Sequence, residues 1–294
     1  MQKIIPHLWY DKEALEAAKL YVSLFEDSVI VNVTTIPDTP SGDAEMVDFK
    51  LAGMQFSAIS AGPYFRLNPS ISLMIACETE QEVDRLYEKL IPDGFELMPL
   101  GEYPFSKHFA WIQDKYGLNF QLFLVEDIKE HQRIRPTLLF GDQVCGRAEE
   151  AIDFYLSVFS DSKKGYVNYY QPGEAEDSRA KINYGELNIH DNQIIVMDHG
   201  YGSEITFNEA FSFMVPCDSQ EEIDYYWDKL SYVPEAEQCG WLKDQFGVSW
   251  QIVPSNMNDV MMNGTNEEIK RVTEAFLQMK KFDLAALERA RLGE

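Results

Sequence analysis

The feature that most constrains the fold is an internal repeat, because three segments recur in the same order in both halves of the 294-residue chain. They are residues 20–28 and 154–162, 77–90 and 217–230, and 111–123 and 241–253. The offsets between partners are 134, 140 and 130 residues, so insertions separate otherwise matching elements. The last pair shares four identical residues, Trp111/Trp241, Asp114/Asp244, Gly117/Gly247 and Gln121/Gln251. This order indicates a tandem duplication of one module.

The repeat divides the chain into residues 1–128, residues 133–255 and a tail of residues 256–294. The charged stretch EDIKEHQRIR between the copies has no apolar periodicity and is typical of a linker. In the tail, EEIKRVTEAFLQMKK has apolar residues at helical spacing, and Asp283 is placed to cap a further short helix. The tail therefore predicts helices that pack against a module.

Each module is predicted to contain two helices and about eight strands. The first copy gives the order βαβββ and then repeats it, with Thr79 and Glu82 spaced as a capping box for the second helix. No long alternation of strands and helices is present, so a Rossmann-type sheet is excluded. The prediction is an α+β fold, a tandem duplication of a module made of two βαβββ units that form a cup-shaped mixed sheet. Alternate strand residues would line a concave pocket.

The charge balance excludes several classes of partner. There are 49 acidic and 25 basic residues, a formal net charge of −24, so nucleic acid and anionic membranes would be repelled. No run reaches the ~18 apolar residues of a membrane helix. The four cysteines lack metal-binding spacing, and the N-terminus lacks the apolar core of a signal peptide, which together favour a cytoplasmic protein.

Several motifs carry a family resemblance: PHLWYD before a helix ending in LYVSLFEDS, SISLMI before CETEQEVDRLYEKL, and WLKDQFGVSWQIVP. The chain resembles the demethylubiquinone-methyltransferase-like (PhnB-like) branch of the glyoxalase/bleomycin-resistance/extradiol-dioxygenase (vicinal oxygen chelate) superfamily. The resemblance implies a small-molecule pocket and modules that pair, here within the chain, in a monomer or a homodimer. Methyl transfer is not expected, because no glycine-rich strand–turn–helix loop is visible.

The resemblance also locates the positions where superfamily enzymes hold a divalent metal, on the first, fifth and eighth strands of a module. Those positions carry His7, Ser72 and Gln121 in copy one and Thr137, Ser212 and Gln251 in copy two. Only His7 is a good ligand, since amides and hydroxyls replace imidazole and carboxylate poorly. No tightly bound metal or other cofactor is expected, and His7 is the one weak metal candidate.

His7 is also the candidate catalytic residue, because imidazole titrates near neutrality; the alternative is a hydrogen-bonded structural histidine. The two glutamines either cross-link the sheet or face a ligand. Trp111 and Trp241 are interpreted as core residues of the last hairpin. The candidate ligand-binding residues are Trp9, Ser72, His108, Gln121, Thr137, Ser212 and Gln251.

Three functions follow. The favoured one is metal-independent binding of a small organic molecule, with the cups as apolar pockets that carry a few amides and hydroxyls. Any chemistry is expected in the first module, around His7, Ser72 and Gln121. The alternative is an enzyme of the same superfamily: a metal-assisted lyase, isomerase or dioxygenase, or an acid/base catalyst that uses His7. A scaffold that associates with other proteins is the third.

Overall fold

The computed structural model describes residues 2–202 and 204–294. The first copy contains β1 Ile5–Tyr10, α1 Ala14–Val22, β2 Val29–Thr39, β3 Gly42–Leu51, β4 Met54–Ser60, β5 Ile71–Cys77, α2 Glu80–Leu90, β6 Phe95–Tyr103, β7 Ser106–Gln113 and β8 Asn119–Leu124. The second contains β9 Ile134–Phe140, α3 Ala148–Val158, β10 Ser162–Tyr169, β11 Ile182–Ile189, β12 Asn192–Asp198, β13 Phe211–Cys217, α4 Gln220–Leu230, β14 Trp241–Lys243 and β15 Ser249–Pro254. The tail forms α5 Met257–Asn263, α6 Asn266–Phe276 and α7 Leu284–Leu292.

The fold is mixed α+β, with two copies of one module and two mixed sheets. The seven-stranded sheet has the order β14-β15-β13-β1-β4-β3-β2. The eight-stranded sheet has the order β10-β11-β12-β9-β5-β8-β7-β6. Each sheet therefore combines half of one copy with half of the other.

The halves of the two copies join at two antiparallel strand pairs. In one, β1 pairs with β13, with His7 opposite Ser212. In the other, β5 pairs with β9, with Ser72 opposite Thr137. The predicted pairing of modules within the chain is thus realised by continuous hydrogen-bonded sheets. The expected grouping of His7 with Ser72 and Gln121 in a cup of one module is wrong, because these residues belong to different sheets.

The helices cover one face of each sheet. α1 packs against β3 and β4, and α2 against β7 and β8. In the second copy α3 packs against β11 and β12, and α4 against β13 and β15. Side chains alternate along a strand, so the residues opposite the helices line the other face. Every residue of β5 and β9 is buried, as expected for strands at the centre of a sheet.

A buried aspartate fixes the last hairpin in each copy. The Asp244 carboxylate accepts hydrogen bonds from the Tyr155 hydroxyl (2.7 Å), Trp250 Nε1 (2.9 Å) and two backbone amides. Asp114 accepts from the Tyr21 hydroxyl (2.7 Å) and two backbone amides. Burial raises the pKa of both carboxyls to about 6 despite these donors. The identical Asp114/Asp244 pair in the repeat is therefore a structural cross-link between hairpin and helix.

Among its described residues the second copy has seven strands, where about eight were predicted. Twenty residues separate Leu90 from Trp111, and ten separate Leu230 from Trp241. In the shorter segment a 3₁₀ turn, Pro234–Ala236, leads directly to β14, which has three residues. The hairpin that β6 and β7 form in copy one is consequently cut short, which explains the drop in the repeat offset from 140 to 130.

The tail lies along the edge of the seven-stranded sheet, where the second copy has the shorter hairpin. The amides of Cys239 and Gly240, just before β14, donate to the carbonyls of Met279 (2.8 Å) and Lys280 (2.7 Å). Gly240 has φ +83, and a Cβ there would lie 2.8 Å from the Ile252 carbonyl oxygen, so only glycine allows this approach. The predicted cap of the last helix is confirmed, since the Asp283 side chain accepts from the Ala286 amide.

Candidate functional site

We call the face of the seven-stranded sheet opposite α1 and α4 the first cup, and the face of the eight-stranded sheet opposite α2 and α3 the second cup. The first cup holds a cavity of about 640 Å³. Residues of β1, β3 and β4 form one wall and residues of β13 to β15 the other. The tail lines one side of the cavity with Met257, Met261, Phe276, Leu277 and Phe282. A cavity of this size is sufficient for a metabolite-sized molecule.

A chain of three polar side chains crosses the sheet junction in the first cup. Gln251 Nε2 donates to Ser212 Oγ at 2.9 Å, and Ser212 Oγ lies 3.4 Å from His7 Nδ1. All three residues are buried. With its oxygen accepting from Gln251, the Ser212 hydroxyl can donate to His7 Nδ1, and on that basis we assign the imidazole proton to Nε2.

Two tryptophans surround His7. The Trp241 ring lies edge-on to His7 with ring centroids 5.4 Å apart, and Trp9 lies 6.1 Å from Trp241. Trp9 is held by a hydrogen bond from its Nε1 to the Gly62 carbonyl (2.8 Å). Trp241 thus lines the cavity, and the interpretation of this residue as core is wrong. Its register with Gln251 on the neighbouring strand is the signal that could have revealed it.

Burial lowers the pKa of His7 to about 3. The ring is therefore neutral across the physiological pH range, because removal from water penalises the imidazolium. The near-neutral titration that suggested a catalytic base is absent, and a base of this strength removes protons poorly. His7 offers a fixed N–H donor instead.

The donors around His7 do not fit a divalent metal. Its neighbours are a hydroxyl and an amide that already bond each other, whereas zinc and iron require imidazole, carboxylate or thiolate. Within residues 2–202 and 204–294, no group of three histidine, cysteine, aspartate or glutamate side chains could hold a metal ion. The expectation of a metal-free protein stays a prediction.

The second cup repeats the arrangement with other residues. Gln121 Nε2 donates to Ser72 Oγ at 2.9 Å, and Thr137 stands opposite Ser72 at the position of His7. Arg135, two residues earlier on β9, is 1% exposed. Arg135 is the last residue of the charged stretch EDIKEHQRIR, and it lies within the sheet because β9 begins at Ile134.

The predicted ligand-binding residues therefore separate into three groups. Trp9, Ser212 and Gln251 join His7 in the first cup, and Ser72, Gln121 and Thr137 meet in the second. His108 lies in neither. Its Nε2 is 2.6 Å from the Asp84 carboxylate on α2, on the helix-covered face, because His108 and Trp111 have opposite parity along β7.

Comparison with known proteins supports the family assignment. The model of the 3-demethylubiquinone-9 3-methyltransferase family matches residues 2–123 and 132–253. The chain belongs to this family. It also has a glyoxalase-like fold, as the maize structure described next shows.

The PhnB protein of Bacillus cereus is 40% identical over 42% of this chain and 100% of its own, with a TM-score of 0.40. Glyoxalase I of Zea mays is 13% identical, with a TM-score of 0.53, and the match covers 86% of this chain and 94% of the maize chain. The likeness to the maize enzyme shows the fold alone. No curated protein matches the chain.

The family description implies a methyl donor. The connection between a strand and a helix that is richest in glycine is the place where such a cofactor would be expected to bind. Gly141 and Gly146 lie between β9 and α3. The amides of Gly146 and Ala148 both donate to Asp198 Oδ1, at 2.8 and 3.1 Å. This helix N-terminus is satisfied by a side chain of the protein and does not fit the anionic part of a nucleotide-like cofactor.

Among the described residues, no helix combines the length and the apolar character that crossing a membrane requires.

Proposed function

We propose that this family member binds a small apolar organic molecule without negative charge in the first cup. The observation that carries the proposal is the cavity of about 640 Å³, walled by both modules and lined on one side by the tail. Phe56, Phe65, Trp9, Trp241 and Phe276 supply aromatic surface. Burial of apolar ligand area against these rings provides most of the binding free energy.

The charges of the lining support this ligand class. Asp48, Glu209 and Glu235 line the cavity, whereas no lysine or arginine does so within the described part of the chain. Glu209 is paired with Lys243 at 2.8 Å. An anionic ligand would lose its hydration, and the charged side chains that line the cavity among the described residues are all negative, so an anion is disfavoured.

His7 and Gln251 orient the ligand in this proposal. Their free atoms, His7 Nε2 and Gln251 Oε1, form no hydrogen bond to any group in residues 2–202 and 204–294. One N–H donor and one carbonyl acceptor would align a polar group such as a ketone or an amide. Acid/base catalysis by His7 is not favoured, because burial holds its pKa near 3.

The protein would act in the cytoplasm, as a monomer or a homodimer, without nucleic acid or membrane partners. All four cysteines are free thiols, and burial raises the pKa of Cys77, Cys145 and Cys217 to about 12. Free, weakly acidic thiols suit a reducing compartment.

A cavity-filling pair of variants tests the binding site. Ile59 lines the cavity and pairs with Trp9, and Met197 is its equivalent in the second cup, paired with Leu139. The neutral dye Nile red is titrated and its fluorescence is followed. Ile59→Trp should weaken dye binding at least tenfold, whereas Met197→Trp should leave it unchanged. Equal affinities in both variants, with circular dichroism showing folded protein, would refute the proposal.

A further inference from the structure

Three side chains of the first cup form a hydrogen-bonded network with two free ends, and we call Gln251, Ser212 and His7 the polar network. Gln251 Nε2 lies 2.9 Å from Ser212 Oγ, which lies 3.4 Å from His7 Nδ1. The outer atoms, His7 Nε2 and Gln251 Oε1, have no partner in the described part of the chain. His7 and Gln251 line the cavity, whereas Ser212 does not. Both ends of the polar network therefore meet whatever occupies the cavity.

The two end residues are removed from bulk water. His7 is 2% exposed and Gln251 is 6% exposed. Trp241 lies beside both, since it is paired with Gln251 on the neighbouring strand and its ring is 5.4 Å from that of His7. The unpartnered atoms without accessible surface belong to other residues, so His7 Nε2 and Gln251 Oε1 retain surface toward the cavity. A ligand that covers these atoms must replace their hydrogen bonds to water.

The polar network presents one donor and one acceptor to the cavity. Burial lowers the pKa of His7 to about 3, so the neutral ring has one N–H group and one bare nitrogen. When the Gln251 amide group donates to Ser212, the Ser212 hydroxyl can donate to His7 Nδ1. His7 Nε2 is then the donor end, and Gln251 Oε1 is the acceptor end.

The same count holds when the polar network runs in the opposite direction. Rotation of the Gln251 amide group by 180° exchanges its oxygen and nitrogen with little change in shape. Ser212 would then donate to the amide oxygen and accept from His7 Nδ1. The amide nitrogen becomes the donor end and His7 Nε2 the acceptor end. One end donates and the other accepts in either direction, because one hydroxyl proton couples them.

The second cup has no such pair of ends. Gln121 donates to Ser72 Oγ at 2.9 Å, as in the first cup, but Thr137 stands opposite Ser72 in place of the histidine. Thr137 is 0% exposed, and its hydroxyl donates to the Arg135 carbonyl at 3.4 Å. On this side the polar side chains end on the backbone of the protein and offer nothing to a ligand. The pair of ends is therefore a property of the first cup.

We propose that the first cup selects a neutral ligand that carries both a hydrogen-bond acceptor and a donor, as a lactam or a secondary amide does. This inference rests on the proposed function and narrows its ligand class to one with an N–H group. A ketone pairs with the donor end and covers the acceptor end without replacing its water. A lactam pairs with both. A covered acceptor without a partner lowers affinity about tenfold.

Oxindole and 2-indanone test the proposal with the full chain. These neutral bicyclic molecules have nearly the same size and shape, and oxindole has an N–H group where 2-indanone has a CH₂ group. Each is titrated into the protein with Nile red bound, and its inhibition constant is measured. Oxindole should bind at least tenfold more tightly than 2-indanone. The hydrophobic effect alone predicts the reverse order, because oxindole is the more polar molecule.

Two glutamine variants connect this selectivity with the polar network. Gln251→Met removes the amide end and keeps the length of the side chain, so the ratio of the two inhibition constants should fall below about threefold. Gln121→Met is the matching change in the second cup and should keep the wild-type ratio. The ratio compares two ligands on one protein, so it does not depend on the dye affinity of the variant.

Three results would overturn the proposal. They are equal affinities of the two probes in the wild type, no competition by either probe, and a loss of selectivity in Gln121→Met as large as in Gln251→Met. If Ile59→Trp still blocks Nile red in those cases, binding in the first cup stands and only the lactam class falls. If Gln251→Met does not fold, 1-methyloxindole decides on the wild type. It lacks the N–H group and should bind as weakly as 2-indanone.

Discussion

The two cups share a framework and differ in what lines it. Each has a glutamine that donates to a serine across neighbouring strands, at 2.9 Å in both cases, and a tryptophan beside it. The remaining positions differ in chemistry: Ile5/Arg135, His7/Thr137, Trp9/Leu139 and Met46/Tyr184. The residues that join the strands are thus the same in both copies, and the residues that line the cups differ. This difference, together with the cavity in the first cup, is the basis for proposing that the first cup takes apolar ligands without negative charge.

The cups also differ in what closes them. In the first copy the long hairpin of β6 and β7 extends the eight-stranded sheet. The second copy has lost ten residues there, and the tail lies at the vacated edge of the seven-stranded sheet. The covering of the first cup thus comes from outside the repeat. The shorter hairpin of the second copy leaves the place where the tail lines one side of the cavity.

The largest expected effect concerns the aspartates that the copies share. Asp244→Ala should lower the free energy of unfolding by about 4 kcal/mol, because four donors lose their buried acceptor. Asp114→Ala should cost about 2 kcal/mol, since only three donors are affected and Tyr21 keeps Tyr10 as a partner at 3.2 Å. Urea denaturation measures both. Equal losses would contradict this difference between the copies.

The next effect concerns the tail. Phe282 is buried and lines the cavity, so Phe282→Ala should lower stability by about 3 kcal/mol and weaken Nile red binding at least fivefold. Leu287→Ala is the control, because Leu287 is buried in the same tail but does not line the cavity. It should reduce stability while dye affinity, measured well below the unfolding temperature, stays unchanged. Equal dye affinities in both variants would show that the tail does not close the site.

The smallest expected effect is that of pH on dye binding, because the affinity of the first cup should stay nearly constant. A histidine whose pKa falls on folding gains charge only when the pH approaches that lowered value, which is about 3 for His7. Nile red affinity of the first cup should therefore vary less than twofold between pH 5 and pH 8. A tenfold loss of affinity centred near pH 6.5, absent in His7→Gln, would show that His7 titrates normally and is less buried than the structure indicates.

Much of the local structure could be predicted from the sequence. The repeat, the α+β class, the helices of the tail and the cap at Asp283 followed from spacing and residue type, which act over a few residues. His108 was misplaced because alternation along β7 defines two faces without saying which one the helix covers. The burial of Arg135 could not be predicted, because this residue ends a charged stretch whose composition is typical of an exposed segment.

What the sequence determined by itself is that the chain contains the same module twice, with one histidine at a position where the second copy has Thr137. What only the tertiary structure decided is which halves meet. Ser72 and Ser212 lie on equivalent strands of the two copies. The alternation of side chains along a strand would therefore allow either serine to lie opposite His7. The path of the chain pairs β1 with β13 and β5 with β9, over sequence separations that local patterns do not encode. The composition of each cup follows from that pairing.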